Sequence, residues 1–221
     1  MTEAELSQDT RTRILEAAEQ LFAYQGFRET SLRAITSKAG ANLAAVNYHF
    51  GSKDDLIQEI FRRRIDPVNQ ARLKALNEIE AEAAPDSPDL EDILRAFLHP
   101  AVKLSTDPEH QKVLSRLYGR IHAEPSDELE TMFLDLFSEV QPRFAGALHK
   151  ALPDLPQKEL AWRFHFMIGV MVYTMSEARK LARFFPDLNQ YDAETQTERI
   201  VRFVAAGFRS EIPPSLTRKE S

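Results

Sequence analysis

The side chains best suited to recognising a partner lie between Thr30 and Lys53. Asn42, Asn47, Tyr48 and His49 carry amide, phenol and imidazole groups that can reach base edges or phosphates. Leu43, Ala44 and Ala45 stand among them, small or apolar, so that a backbone can come close and touch thymine methyls. Arg33 and Lys53 flank the stretch as phosphate anchors, and the hydroxyls of Thr30 and Ser31 stand before it. From residue 26 to residue 53 the charges are Arg28, Arg33, Lys38 and Lys53 against Glu29 alone, in a chain of net charge −6. A locally basic patch on an acidic protein points to a polyanion, and double-stranded DNA is the partner these groups fit.

Bond-making chemistry finds no comparable support. The six histidines are scattered and no His-Glu-x-x-His occurs. His122-Ala123-Glu124 opens like a zinc deaminase signature, but the chain has no cysteine to complete it. The same absence excludes a disulfide framework and a thiolate nucleophile. There is no Gly-x-Ser-x-Gly and no glycine loop that could cradle a phosphate. The sequence therefore predicts no enzyme, no catalytic residue, no cofactor and no metal site.

Two short helices must position the recognition groups. Thr30 or Ser31 caps the first, since a side-chain oxygen there accepts from the free N–H groups of the first turn. Leu32, Ile35 and Ala39 share one face. Gly40 stops the helix, because glycine enters the left-handed turn without steric cost. Asn42 caps the second helix, which ends near Gly51. A helix, a glycine turn and a second short helix make a helix-turn-helix. A hairpin at the corner of a helical bundle would show the same pattern.

A supporting helix precedes the pair, from about Thr10 to Gln25, with Ile14, Ala17, Ala18, Leu21 and Phe22 as its buried stripe. Its Arg11 and Arg13 face either phosphate or solvent. Residues 1–9 are polar and predict a frayed tail. After Gly51, Ser52 and Asp55 form a capping box for a helix reaching about Glu82, kinked at Pro67. All 12 prolines lie from Pro67 onward. The predicted domains are 1–51, which reads DNA, and 52–221, joined through that helix.

Beyond it the periodicity predicts helices over 89–103, bent or ended by Pro100; over 108–123; over 126–152, kinked at Pro142; over 158–184; and over 193–209. Only seven glycines and no alternating apolar run favour an all-α chain. The helix 158–184 is apolar on nearly every side between Phe164 and Met175, and Ile200, Val201, Phe203, Val204 and Phe208 give the last helix a broad apolar face. That surface exceeds what one small core covers, and pairing into a homodimer would bury it. Phe97, Phe133, Phe137, Trp162, His165, Phe166 and Met171 are candidates for lining a pocket for a lipophilic effector, or for filling a core or a dimer seam. The first nine residues lack the basic start and apolar core of a signal peptide, and the longest apolar run, Phe166 to Met175, is about half a membrane span. A soluble, cytoplasmic protein without membrane contact is expected.

The run Ile14-Leu15-Glu16-Ala17-Ala18-Glu19-Gln20-Leu21-Phe22-Ala23-Tyr24-Gln25-Gly26-Phe27, then Thr30 to Ile35, Ala39-Gly40 and Tyr48-His49-Phe50-Gly51-Ser52-Lys53, resembles the DNA-binding domain of the TetR family of bacterial repressors. The resemblance covers about residues 10–60. Two positions depart from the family pattern: Asn47 stands where a tyrosine is usual, and Asn42 where a small hydroxyl residue is usual. The resemblance implies an N-terminal three-helix helix-turn-helix domain and a larger C-terminal helical domain for effector binding and dimerisation. It also implies a four-helix bundle across the dimer two-fold. Asn42 to Lys53 and Trp162 to Gly169 further resemble the fatty-acid-responsive members of that family, which implies a fatty acid or acyl-CoA as effector. Two-fold symmetry predicts a palindromic operator with half-sites about one helical turn apart. An acyl-binding enzyme or a helical interaction protein is the alternative.

Overall fold

The computed structural model of the chain describes residues 3–105, 113, 116, 117, 119, 120, 124, 126–185 and 192–213. Nine helices and no strand occur among the described residues: α1 Glu3–Gln25, α2 Leu32–Ala39, α3 Leu43–Phe50, α4 Lys53–Ala83, α5 Leu90–Ser105, α6 Asp127–Leu136, α7 Val140–Ala151, α8 Gln157–Phe184 and α9 Ala193–Phe208. The protein is all-α, as the glycine count and the periodicity predict. Most of the helix expected over 108–123, and the tail after residue 213, lie outside the described residues.

Three expectations need correction. First, α1 begins at Glu3, where a frayed tail was expected through residue 9. Glu3, Ala4, Glu5 and Leu6 are good helix formers, and Asp9 pairs with Arg13 one turn on, at 3.0 Å. Second, the helix expected over 126–152 is two helices, α6 and α7. The Asp135 carbonyl is taken by the Ser138 N–H at 3.2 Å and its hydroxyl at 2.7 Å, which tightens the end of α6. Pro142 then falls in the first turn of α7, where its missing N–H removes no helical bond. Third, α5 runs on to Ser105, two residues past the expected end at Lys103, and of the two effects expected of Pro100, bending or ending, the ending does not occur. Leu98, Ala101 and Val102 are buried around that proline and hold the helix across it.

Packing divides the chain into two compact units. One comprises residues 1–71 and 104–139, the other residues 72–103 and 140–221. The chain thus crosses between units three times. The sequence cuts the protein by function at 51/52, whereas packing cuts it at 71/72, inside α4.

In the first unit Ile14, Phe22, Phe27, Ile35, Val46, Leu56, Phe61, Leu117 and Met132 form one core. In the second, Leu94, Phe97, Leu98, Phe144, Leu148, Met167, Val201 and Phe208 are buried, and arginines fasten its helices. Arg72 donates from Nε to the Phe97 carbonyl at 2.8 Å and lies 4.0 Å over the Phe97 ring. Arg163 donates to the Phe208 carbonyl at 2.7 Å, at the C-terminal end of α9 where a cation is favoured. Arg95 reaches Glu198 at 2.5 Å, and Arg209 reaches Glu91 at 2.6 Å.

Hydrogen bonding from Arg209 holds the Glu91 carboxyl below its ordinary value of 4.5, and Arg95 does the same to Glu198. Both carboxylates gain a cation on folding. The stability they add is present above the ordinary value and is lost as pH falls through the lowered folded values. Solvent screens both pairs, so each contribution is small. The expected outcome is a Tm that falls between about pH 5 and 3, with a shallower fall in a Glu91→Gln, Glu198→Gln double variant. Equal slopes in thermal melts of the two proteins would show that other carboxylates set the acid limit.

Candidate nucleic-acid interface

The interface is built from two eight-residue helices, each tied at both ends. Ser31, not Thr30, caps α2: its hydroxyl accepts from the Ala34 N–H at 3.2 Å. At the far end Gly40 adopts φ 60°, ψ 38°. Its N–H donates to the Ser37 carbonyl at 3.4 Å, and the Ala41 N–H donates to the Thr36 carbonyl at 2.9 Å. This pair of bonds closes a helix whose next residue is left-handed. Arg13 of α1 adds a third tie, donating from Nη1 to the Ala39 carbonyl at 3.0 Å.

Asn42 caps α3, its amide oxygen accepting from the Ala45 N–H at 2.8 Å. Val46 is fully buried and fixes how α3 is turned about its own axis. Leu43, Ala44, Asn47 and Tyr48 therefore share the outward face, with Tyr48 82 % exposed. His49 is half-buried, its ring 5.0 Å from Tyr48 edge to face and 6.1 Å from Phe50. Past Gly51 the capping box forms: the Ser52 N–H donates to Asp55 at 3.0 Å and the Asp55 N–H donates to the Ser52 hydroxyl at 3.1 Å.

Around this face Ser31 and Arg33 are exposed and Lys53 is half-buried at the start of α4. Thr30 is a correction. It has no exposed surface, and its hydroxyl donates to the Gly26 carbonyl at 2.7 Å. It braces the turn before α2 and offers nothing outward. Arg11 pairs with Glu59 and lies 5.4 Å over the Phe50 ring, while Arg13 stays exposed and pairs with Asp9.

One feature of the unit has no signal in the sequence. Glu124 accepts from the Arg28 N–H at 2.9 Å, across 96 residues. Arg120 donates to the Tyr24 carbonyl at 3.0 Å, and the Arg116 guanidinium lies 4.0 Å over the Tyr24 ring. Together they clasp the turn from α1 into α2.

The seven candidate effector residues are divided between the two units. Phe133 and Phe137 pack on the core of the first unit, Phe133 5.6 Å from Phe61. Phe97 and Met171 lie in the second unit with Arg72, whose Nη2 is 3.5 Å from the Met171 sulfur. Phe144 and Phe164 stand 5.1 and 5.3 Å from Phe97. Trp162, His165 and Phe166 lie on an exposed face of α8. Among the described residues no group of three or more histidines and acids could hold a metal, and no helix is long and apolar enough to cross a membrane.

A capped helix, a glycine turn and an anchored short helix presenting a mixed polar and apolar face define a helix-turn-helix. The family described as "Bacterial regulatory proteins, tetR family" matches residues 14–60, and the one described as "Tetracyclin repressor-like, C-terminal domain" matches residues 95–207. The chain belongs to the TetR family of DNA-binding transcriptional regulators. It is 34 % identical over 113 residues to the transcriptional repressor BepR of Brucella suis biovar 1 (strain 1330), a match covering 51 % of this chain and 50 % of BepR. It is 28 % identical over 160 residues to the repressor KstR2 of Rhodococcus jostii (strain RHA1), covering 70 % of this chain and 73 % of KstR2. The chain spans about half the length of BepR. Among solved structures, FadR of Bacillus subtilis in complex with stearoyl-CoA has the same fold. It is 13 % identical with a TM-score of 0.66, over 89 % of this chain and 98 % of that one. The SmeT–triclosan complex is 22 % identical with a TM-score of 0.60, over 96 % and 99 %.

Gly26 tests the clasp. Its φ is +96°, and a Cβ there would lie 2.3 Å from the Glu124 carboxylate. Gly26→Ala is expected to cost about 1–2 kcal/mol from the left-handed backbone alone. It also forces Glu124 off the Arg28 N–H. Adding Glu124→Ala should relieve the clash and leave the backbone cost. Chemical denaturation of the single and double variants separates the two, and an unchanged midpoint for Gly26→Ala would show that the turn is not held as described.

Proposed function

We propose that this protein is a dimeric transcriptional repressor that grips a palindromic operator through α3 and releases it when a lipophilic effector binds. The observation that carries the proposal is the outward face of α3. Leu43, Ala44, Asn47 and Tyr48 stand exposed together on a helix that Val46 prevents from turning. Asn42 and His49 stand at its ends, and Ser31, Arg33 and Lys53 supply the phosphate contacts that set its register. Residues 1–51 form the reading domain, and residues 52–221 dimerise and bind the effector.

Dimerisation follows from α8 and α9. Trp162, Phe166 and Tyr173 are exposed along one face of α8, and Phe203 is 69 % exposed on α9. Trp162 and Phe166 stack at 5.7 Å. A face of large aromatics is an association surface, and a second copy covers it by two-fold symmetry. The two α3 helices then meet half-sites roughly 34–36 Å apart. Trp162, His165 and Phe166 belong to this seam, and Phe133 and Phe137 to the core. Phe97, Met171 and the rings around Phe97 form the effector region. Two proteins of the same fold hold stearoyl-CoA and triclosan, both lipophilic, which supports a lipophilic effector, and the first of them supports a fatty acid or acyl-CoA. To empty an operator the effector must bind the released state more tightly than the gripping one, by about 5.5 kcal/mol for a full switch.

The test is a mobility shift on DNA upstream of the protein's own gene and on duplexes selected from random sequence, with and without oleoyl-CoA. Binding released by the acyl-CoA is the expected result. Binding indifferent to it removes the fatty-acid effector, and failure to select any duplex removes the DNA-binding role. Phe166→Glu should give a monomer by sedimentation and weaken palindrome binding about 10²-fold or more, since each half-site is then held singly. A Phe166→Glu protein that stays dimeric places the seam elsewhere.

A further inference from the structure

The two asparagines that frame α3 are not equivalent. The amide oxygen of Asn42 is committed to the Ala45 N–H at 2.8 Å. The cap holds that oxygen against the first turn of α3, so the part of Asn42 left to face a duplex is its NH2 group, a donor. Asn47, one and a half turns on, is exposed, and among the described residues its side-chain amide makes no hydrogen bond within the protein. Its backbone carbonyl accepts from the Gly51 N–H at 3.1 Å, which leaves the side-chain amide uncommitted. Asn47 keeps both an acceptor and donors free, on the same face as Leu43 and Ala44.

In the major groove adenine presents an acceptor at N7 beside a donor at N6, and an amide with both functions free matches that pair bidentately. A donor-only amide cannot; it fits any acceptor, whether guanine, thymine O4 or a phosphate oxygen. Leu43 and Ala44 add an apolar surface one turn before Asn47, the kind that meets a thymine methyl. Val46 cannot leave the core, so these three residues cannot exchange places with the buried side of the helix.

We propose that Asn47 specifies an adenine in each operator half-site, that Leu43 and Ala44 favour a thymine beside it, and that Asn42 is a donor-only contact carrying little sequence information. The proposal rests on α3 being the DNA-reading element. It is tested with the full-length dimer on an operator selected from random sequence. Each half-site adenine is replaced in turn by 7-deazaadenine, which lacks the N7 acceptor, and by purine, which lacks the N6 donor. One adenine should respond to both replacements, with affinity falling about 5- to 150-fold. Asn47→Ala should lose a similar factor on the natural operator and show no further loss at that adenine. Asn42→Ser keeps a good cap and should weaken all sequences alike. Tight binding with no adenine at which wild type and Asn47→Ala differ overturns the assignment while leaving DNA reading by α3 in place. Failure to select any duplex overturns both.

Discussion

A helix of eight residues is marginal in water, because two turns scarcely recover the cost of starting them. The outward face of this protein depends on α3, which is that short. Its existence rests on tertiary restraint. Asn42 satisfies the Ala45 N–H in its first turn, Gly40 delivers the chain to it in a left-handed turn, Arg13 ties down the end of α2, and Val46 anchors it by burial. Each restraint is modest, on the order of 1 kcal/mol for a cap and a few for a buried aliphatic side chain. Together they turn a weak helix into a rigid presenting surface, and rigidity is what lets a side chain distinguish one base edge from another.

The second unit solves a different problem with different means. Its helices are long enough to stand, and the difficulty is holding them in register. The Arg163 guanidinium on α8 reaches the Phe208 carbonyl, which as the last of α9 has no partner within its helix, and the Arg72 guanidinium on α4 reaches the Phe97 carbonyl midway along α5. The exposed aromatic face on α8 and α9 is then the remaining unbalanced surface, and it sets the requirement for a second subunit in the proposed mechanism.

Features governed by near neighbours in the chain were readable from the sequence. The caps at Asn42 and Ser52, the glycine stop at Gly40 and the stripe through Ile14, Ala18 and Phe22 follow from residue types at fixed offsets. The choice between Thr30 and Ser31 as cap was not, because it is decided by burial: the turn swallows Thr30 and leaves Ser31 at the helix start. The break between α6 and α7 escaped because the proline drew attention to Pro142, whereas a serine competing for one carbonyl ended the helix. Phe133 and Phe97 look alike in sequence and belong to different units. No local signal separates them, any more than one joins Glu124 to Arg28.

The three crossings of the chain bear on how such a protein can be rearranged. The compact unit that carries α3 is not an N-terminal module with a seam behind it. Its core includes Leu117 and Met132, with Phe133 packed against it, all contributed after the chain has passed through residues 72–103. A fragment ending at Ala71 would leave Phe61 facing water where Phe133 should lie. Grafting a new reading head by exchanging the first seventy or so residues would therefore set a foreign surface against an inherited one.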